Sequence, residues 1–131
     1  MNIRFFLAFV AVLFAVSIPL FAHHGASIYE STKLTTLKGI VVEYKFMNPH
    51  TELSLDVNDG SGKTQRWSTE AASLVTMSRM GWTRDMFKPG DQITVTGNIA
   101  KNGTYAMRLR TVLAPNGKLY TIDRGEDYAG Q

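Results

Sequence analysis

"LTTLKGIVVEYK", residues 34–45, is rich in β-branched and aromatic side chains and is interrupted once, by Gly39. A stretch of this kind reads as one long strand. Ile40, Val42 and Tyr44 alternate against Val41, Glu43 and Lys45, and the glycine inside the run predicts a bulge or bend. "MNP" at 47–49 stops it. Thr51–Asn58 then alternates cleanly, with Leu53, Leu55 and Val57 on one face and Glu52, Ser54 and Asp56 on the other. "DGSGK" (59–63) has hairpin-turn chemistry and returns the chain into a third strand at Thr64–Ser68.

Beyond this point the period changes. In Ala71–Met80, Leu74, Val75, Met77 and Met80 fall on one helical face, and Gly81 is a natural C-terminal stop. Trp82 is placed to plug the end of that helix. "KPGD" (88–91) turns into Gln92–Ala100, where Ile93, Val95 and Ile99 alternate with Thr94, Thr96 and Asn98. "KNGT" (101–104) leads into Tyr105–Leu113, and "APNGK" (114–118) into a short strand at Leu119–Ile122. Three strands, one helix and two further strands, with a long bent first strand, is the order of a mainly β, OB-fold-like barrel of five to six strands. A small sandwich or an open α+β sheet uses the same elements, because strand order is not written in a single sequence.

The barrel reading covers residues 34–123. Ahead of it, Met1–Arg4 carries one positive charge and Phe5–Ala22 is an uncharged run with Ser17 its only polar side chain. A positive start, an apolar stretch and a small residue at its end form a signal peptide over 1–22, with cleavage expected after Ala22 and Pro19 breaking the helix before the cut. The alternative is an uncleaved anchor, since the run approaches the ~20 residues needed to span a bilayer. No Cys follows it, so a lipoprotein anchor is excluded. Residues 23–33 read as an irregular leader and 124–131 as a flexible tail.

Removing 22 of 131 residues leaves 109, enough for one domain with a single core. Arg4 leaves with the signal, so 13 basic residues face 11 acidic ones, a net charge of +2. That weak charge, together with export, argues for no nucleic acid among the partners. The absence of Cys removes disulfides and thiol chemistry, so packing alone must stabilise the domain.

Candidate chemistry gathers on three histidines. Cleavage after Ala22 makes His23 the new amino terminus, whose amine and ring nitrogen can chelate one metal ion, beside His24. Such a nitrogen set suits Cu(II), and zinc is the other candidate. A cut one residue earlier would give Ala22-His23-His24, also a Cu(II) chelate, but would require Phe21 at the cleavage position. The plainer alternative is a solvated leader whose histidines do nothing. His50, in "FMNPHTELSLD" (46–56), shares an outward face with Glu52 if the alternation runs backwards, and a carboxylate beside an imidazole orients it as a ligand or base. The plainer alternative is a strand-edge surface histidine. Pro49 favours an extended Asn48, whose side chain can instead cap the turn. Glu70 is a further candidate acid, base or ligand, or simply a favourable charge at a helix N-terminus. Trp67 and Trp82 suit core and helix-end packing better than ligand stacking. Met77, Met80, Met86 and Met107 would suit Cu(I), but methionine at this spacing is ordinary core filling. No nucleophile elbow, phosphate loop or dinucleotide glycine pattern is present.

"AHHG" (22–25), "TLKGIVVEYKFMNPH" (36–50), Trp67, Glu70, "GWTRDMFKPGDQITVTG" (81–97) and "NGKLY" (116–120) together resemble the exported proteobacterial family called domain of unknown function 6152. The resemblance covers nearly the whole mature chain. Gly25 stands where members often carry Ser, so no hydroxyl is essential there. The resemblance implies a soluble periplasmic β-rich domain with no established ligand.

The expectation is therefore a periplasmic binding or accessory domain, non-enzymatic. Its site would be His23, His24 and His50, with Glu52 or Glu70 beside them, around copper or zinc. Its partner would be a periplasmic protein or a small ligand, with membrane contact only through the signal peptide before cleavage. Two rivals stay open. One is a redox enzyme with copper held by His23 and His50, and the other a metal-free module whose strand face recognises a protein or glycan.

Overall fold

A computed structural model describes residues 28–122. Six strands and one helix follow in the order β1 (Thr35–Lys45), β2 (Glu52–Asn58), β3 (Thr64–Glu70), α1 (Leu74–Arg79), β4 (Gln92–Ile99), β5 (Ala106–Leu113) and β6 (Leu119–Thr121). The strands pair in the order β3-β2-β1-β4-β5-β6, and β3 also pairs with β5 in parallel through Ser68↔Ala106, Thr69↔Met107 and Glu70↔Arg108. That last pairing closes the first five strands into a barrel, with β6 appended to the far half of β5. A five-stranded closed barrel with its helix between the third and fourth strands is OB-fold-like. Closure rules out the sandwich and the open sheet.

The alternation seen in the sequence explains the core. Leu53, Leu55 and Val57 of β2 point inward and meet Val41, Ile93, Val95, Met107, Leu109 and Val112, all buried. α1 is shorter than the expected Ala71–Met80. Ala71 still donates its amide to Thr51 O, extending the β2–β3 ladder, and the helix starts only after Ser73, whose hydroxyl accepts from Thr76 N. Six residues bury one full side chain, Met77, and leave Val75 half exposed. Gly81 ends the helix with φ +85°, a left-handed conformation that glycine adopts without strain. Trp82 is buried, as its place after the helix predicts.

The phase of β1 differs from the expected alternation. Ile40 is exposed and Val41 is buried, because the register slips between Val41 and Glu43 and leaves Val42 as an extra residue. Before this bulge the odd positions face the core; after it the even position Tyr44 does. Gly39 is therefore not the bulge itself. Its role is close approach, since a Cβ there would lie 3.1 Å from Asp56 O and Val57 Cγ2.

Tyr44 sits in an aromatic cluster with Phe87 (5.3 Å), Phe46 (6.1 Å) and Trp82 (6.3 Å). Its hydroxyl donates to Thr83 O at 3.0 Å. Burial pushes the phenol well above its ordinary value, Asp85 adds to the shift and Arg84 opposes it. A phenol raised on folding contributes stability that is complete below the ordinary value near 10 and is lost as pH rises through the raised one. Tyr44→Phe is thus expected to cost about 0.5–1.5 kcal/mol at neutral pH by losing the hydrogen bond. It should also flatten the decline of melting temperature above pH ~10. An unchanged alkaline slope would show that Tyr44 does not drive that decline.

Candidate functional site

The β2–β3 ladder sets the site. Glu52 and Glu70 are directly opposed partners, and the pairing runs one step further through Thr51 N to Ala72 O (2.9 Å) and Ala71 N to Thr51 O (2.7 Å). Thr51 is fully buried, so its neighbours His50 and Glu52 face outward together, as their parity predicts. His50 is then the diagonal neighbour of Glu70 rather than a companion of Glu52. His50 Nδ1 lies 3.6 Å from Glu70 Oε2, with side-chain exposures of 49% and 28%.

Glu52 turns elsewhere. Lys45, its partner on β1, brings its ammonium to 4.0 Å from Glu52 and 3.2 Å from Glu43. One lateral row of paired positions thus crosses four strands as Lys45, Glu52, Glu70 and Arg108, positive at both ends and negative in the middle. Like charges directly opposite one another repel, and the flanking cations offset that repulsion. Arg108 is buried, and its partner position on β4 is Asn98, also buried. Asn98 accepts from Arg110 Nε at 2.9 Å and donates to Lys33 O.

The loop before His50 is pinned by Asn48, whose Oδ1 accepts the amide of Leu74 at 3.1 Å. The capping expected of this side chain is therefore directed at the helix, and Asn48–Pro49 is a cis peptide. Sequence reasoning named Asn48, His50, Glu52 and Glu70 but not the diagonal that joins His50 to Glu70. It also missed Lys45 and Arg108, whose place in the row follows only from strand register. His23 and His24 lie outside the described residues. Among the described residues no three of His, Asp and Glu come together as a metal-holding group. What the geometry provides is one imidazole with a carboxylate behind it. Of the four methionines, Met77 and Met107 are fully buried, which fits core filling.

A second feature occupies the other end of the same outer face. Where β1 leaves β2 at Gly39, a groove of about 610 Å³ opens between Lys38, Ile40, Asp56, Asn58, Thr64 and Gln92. Beside it, Arg66 donates from Nε and Nη2 to the two carboxylate oxygens of Asp56, and this holds the Asp56 carboxyl below its usual range. Trp67 is partly buried against the core with its ring edge on Tyr105, at 5.4 Å.

No curated protein matches the chain. Among solved structures it is similar to the mitochondrial single-stranded DNA-binding protein Rim1 of S. cerevisiae, with 9% identity, 72% of this chain and 100% of that one covered, and a TM-score of 0.48. A likeness at this level concerns the fold alone. The exclusion of nucleic acid drawn from a net charge of +2 does not stand, because binding follows where charges sit on the surface rather than their sum. The profile of a family of unknown function, DUF6152, matches residues 11–108, most of the chain and the barrel as far as the start of β5, and the chain belongs to that family.

Proposed function

We propose that this chain is an exported, periplasmic binding or accessory domain that holds one copper or zinc ion at the His50 end of its barrel, with His23 and His24 completing the donor set after cleavage behind Ala22. The observation that carries the reading is the half-exposed His50 ring backed by the Glu70 carboxylate at 3.6 Å. An imidazole oriented by a carboxylate is the usual arrangement at transition-metal ligands.

Mass spectrometry of the protein recovered from cells is expected to place the amino terminus at His23. Titration of Cu(II) and Zn(II) into that mature protein should give binding that weakens by about tenfold or more in His50→Ala. Equal affinity in both would remove His50 from the site. The groove beside Lys38 and Gln92 favours a second reading, a metal-free interaction module, which predicts no saturable binding of either ion.

A further inference from the structure

We infer that the groove beside Gly39 is a strand-docking site: an extended segment of a partner protein, carrying an acidic side chain, adds to the β1 edge at Thr36 and Lys38 and is held there through its backbone. The site is separate from His50, which lies at the other end of the outer face, so it stands whether or not an ion binds there.

The register leaves that edge open. Val41 donates its amide to Asp91 O and accepts from Gly90 N, so its backbone is turned to the β4 side. Backbone direction alternates along a strand. The β1–β4 register runs unbroken from Thr35 to Ile40, so Thr36, Lys38 and Ile40 turn their backbone groups to the β2 side. On that side the β1–β2 ladder ends at Ile40↔Asp56. The N–H and C=O groups of Thr36 and Lys38 therefore have no strand paired with them among the described residues. These four groups, on residues about 7 Å apart along the strand, form a template that an extended backbone matches and a compact ligand does not.

The groove gives room at the same place. It opens where the ladder ends, between Lys38, Ile40 and Gln92 on one side and Asp56, Asn58 and Thr64 on the other. Its volume of about 610 Å³ falls within the ~300–1,000 Å³ of clefts that hold ligands. The far wall is the β2–β3 hairpin, which admits one extended segment but not the edge of a second barrel with a sheet behind it. Charge then selects the segment. Asp56 is already neutralised by Arg66, whereas Lys38 is exposed and makes no ion pair among the described residues. A lysine on an open edge keeps neutral strands away. Facing a wall whose carboxylate is already taken, it favours an acidic side chain opposite it.

The probe is the blocked peptide acetyl-Thr-Val-Glu-Val-Thr-amide, titrated to millimolar concentration into isotope-labelled protein and read by NMR. It should shift the Thr36 and Lys38 amides saturably and slow their hydrogen exchange. A peptide N-methylated at its glutamate lacks that backbone donor and should bind about 2- to 10-fold more weakly, the loss of one hydrogen bond. Lys38→Glu, a change at an exposed position, should weaken the glutamate peptide by about 3- to 5-fold, the size of one exposed ion pair. The same variant should prefer a peptide with lysine in place of the glutamate. No saturable binding, equal affinity for the N-methylated peptide, or an unchanged affinity in Lys38→Glu overturns the docking site. Thr36 and Lys38 amides already protected in the free protein also overturn it, since the edge is then filled. Shifts at the same residues with cellotetraose and not with the peptide would make the groove a glycan site and overturn strand docking.

Discussion

Trp82→Ala is expected to destabilise the domain by about 3–5 kcal/mol, a large share of the whole stability of a domain this size. At about 4–8 °C per kcal/mol, the melting temperature should fall by at least ~12 °C. The reason is the number of elements that meet on one ring. Trp82 is 2% exposed and packs edge-on against Phe87 at 5.2 Å and Tyr120 at 6.0 Å, with Tyr44 tilted beside it. Those neighbours come from β1, from the segment after α1, and from β6, so an alanine leaves a cavity that no single element can collapse to fill. Trp82→Phe separates packing from polarity. It keeps an aromatic ring in place and removes an indole N–H that has no hydrogen-bond partner among the described residues. Its cost should stay below about 1.5 kcal/mol. Equal losses in both variants, measured by urea unfolding, would show that ring packing is not what Trp82 contributes.

The order of elements was legible because the local signals agree with one another. Thr51–Asn58 alternates without a break, "DGSGK" can only turn, and Leu74 to Gly81 changes period before the strands resume. Barrel closure was not legible, since it depends on Ser68 meeting Ala106 nearly forty residues away. The β1 phase failed for a related reason. A bulge at Val42 adds one residue, which reverses every side chain on one side of it, and Val41-Val42 carries no mark of where the slip falls. In the site, parity correctly put His50 and Glu52 on one face. Parity cannot say which strand lies alongside, so the Glu70 contact and the Lys45–Glu52–Glu70–Arg108 row emerged only with the register.

Gly97→Ala is expected to cost about 3 kcal/mol or more and to act on barrel closure rather than on β4 alone. Gly97 is a buried strand residue with no positive φ, so conformational freedom is not why glycine stands there. The reason is crowding. The β4–β5 register slips so that Thr96 faces Thr111 while Gly97 faces Leu109, leaving Arg110 as the extra residue and drawing the two chains together. A Cβ on residue 97 would fall far inside van der Waals contact distance of the Arg108 carbonyl oxygen and lie 2.9 Å from Met107 Cγ. A side chain can rotate away from such a clash, but a carbonyl in a ladder cannot. The strands must part where Arg108 pairs with Asn98 on one side and Glu70 on the other, which is the seam of the barrel. Gly39→Ala is the comparison. Its Cβ would meet neighbours at 3.1–3.2 Å, which a shift of a few tenths of an ångström relieves, so it should cost about 1 kcal/mol or less. Hydrogen exchange then reads the mechanism, because the amides of Ser68 to Glu70 should exchange faster in Gly97→Ala and not in Gly39→Ala. If both variants lose the same small amount and leave β3 protected, the β4–β5 pair has room to spread, and the seam does not depend on the missing side chain.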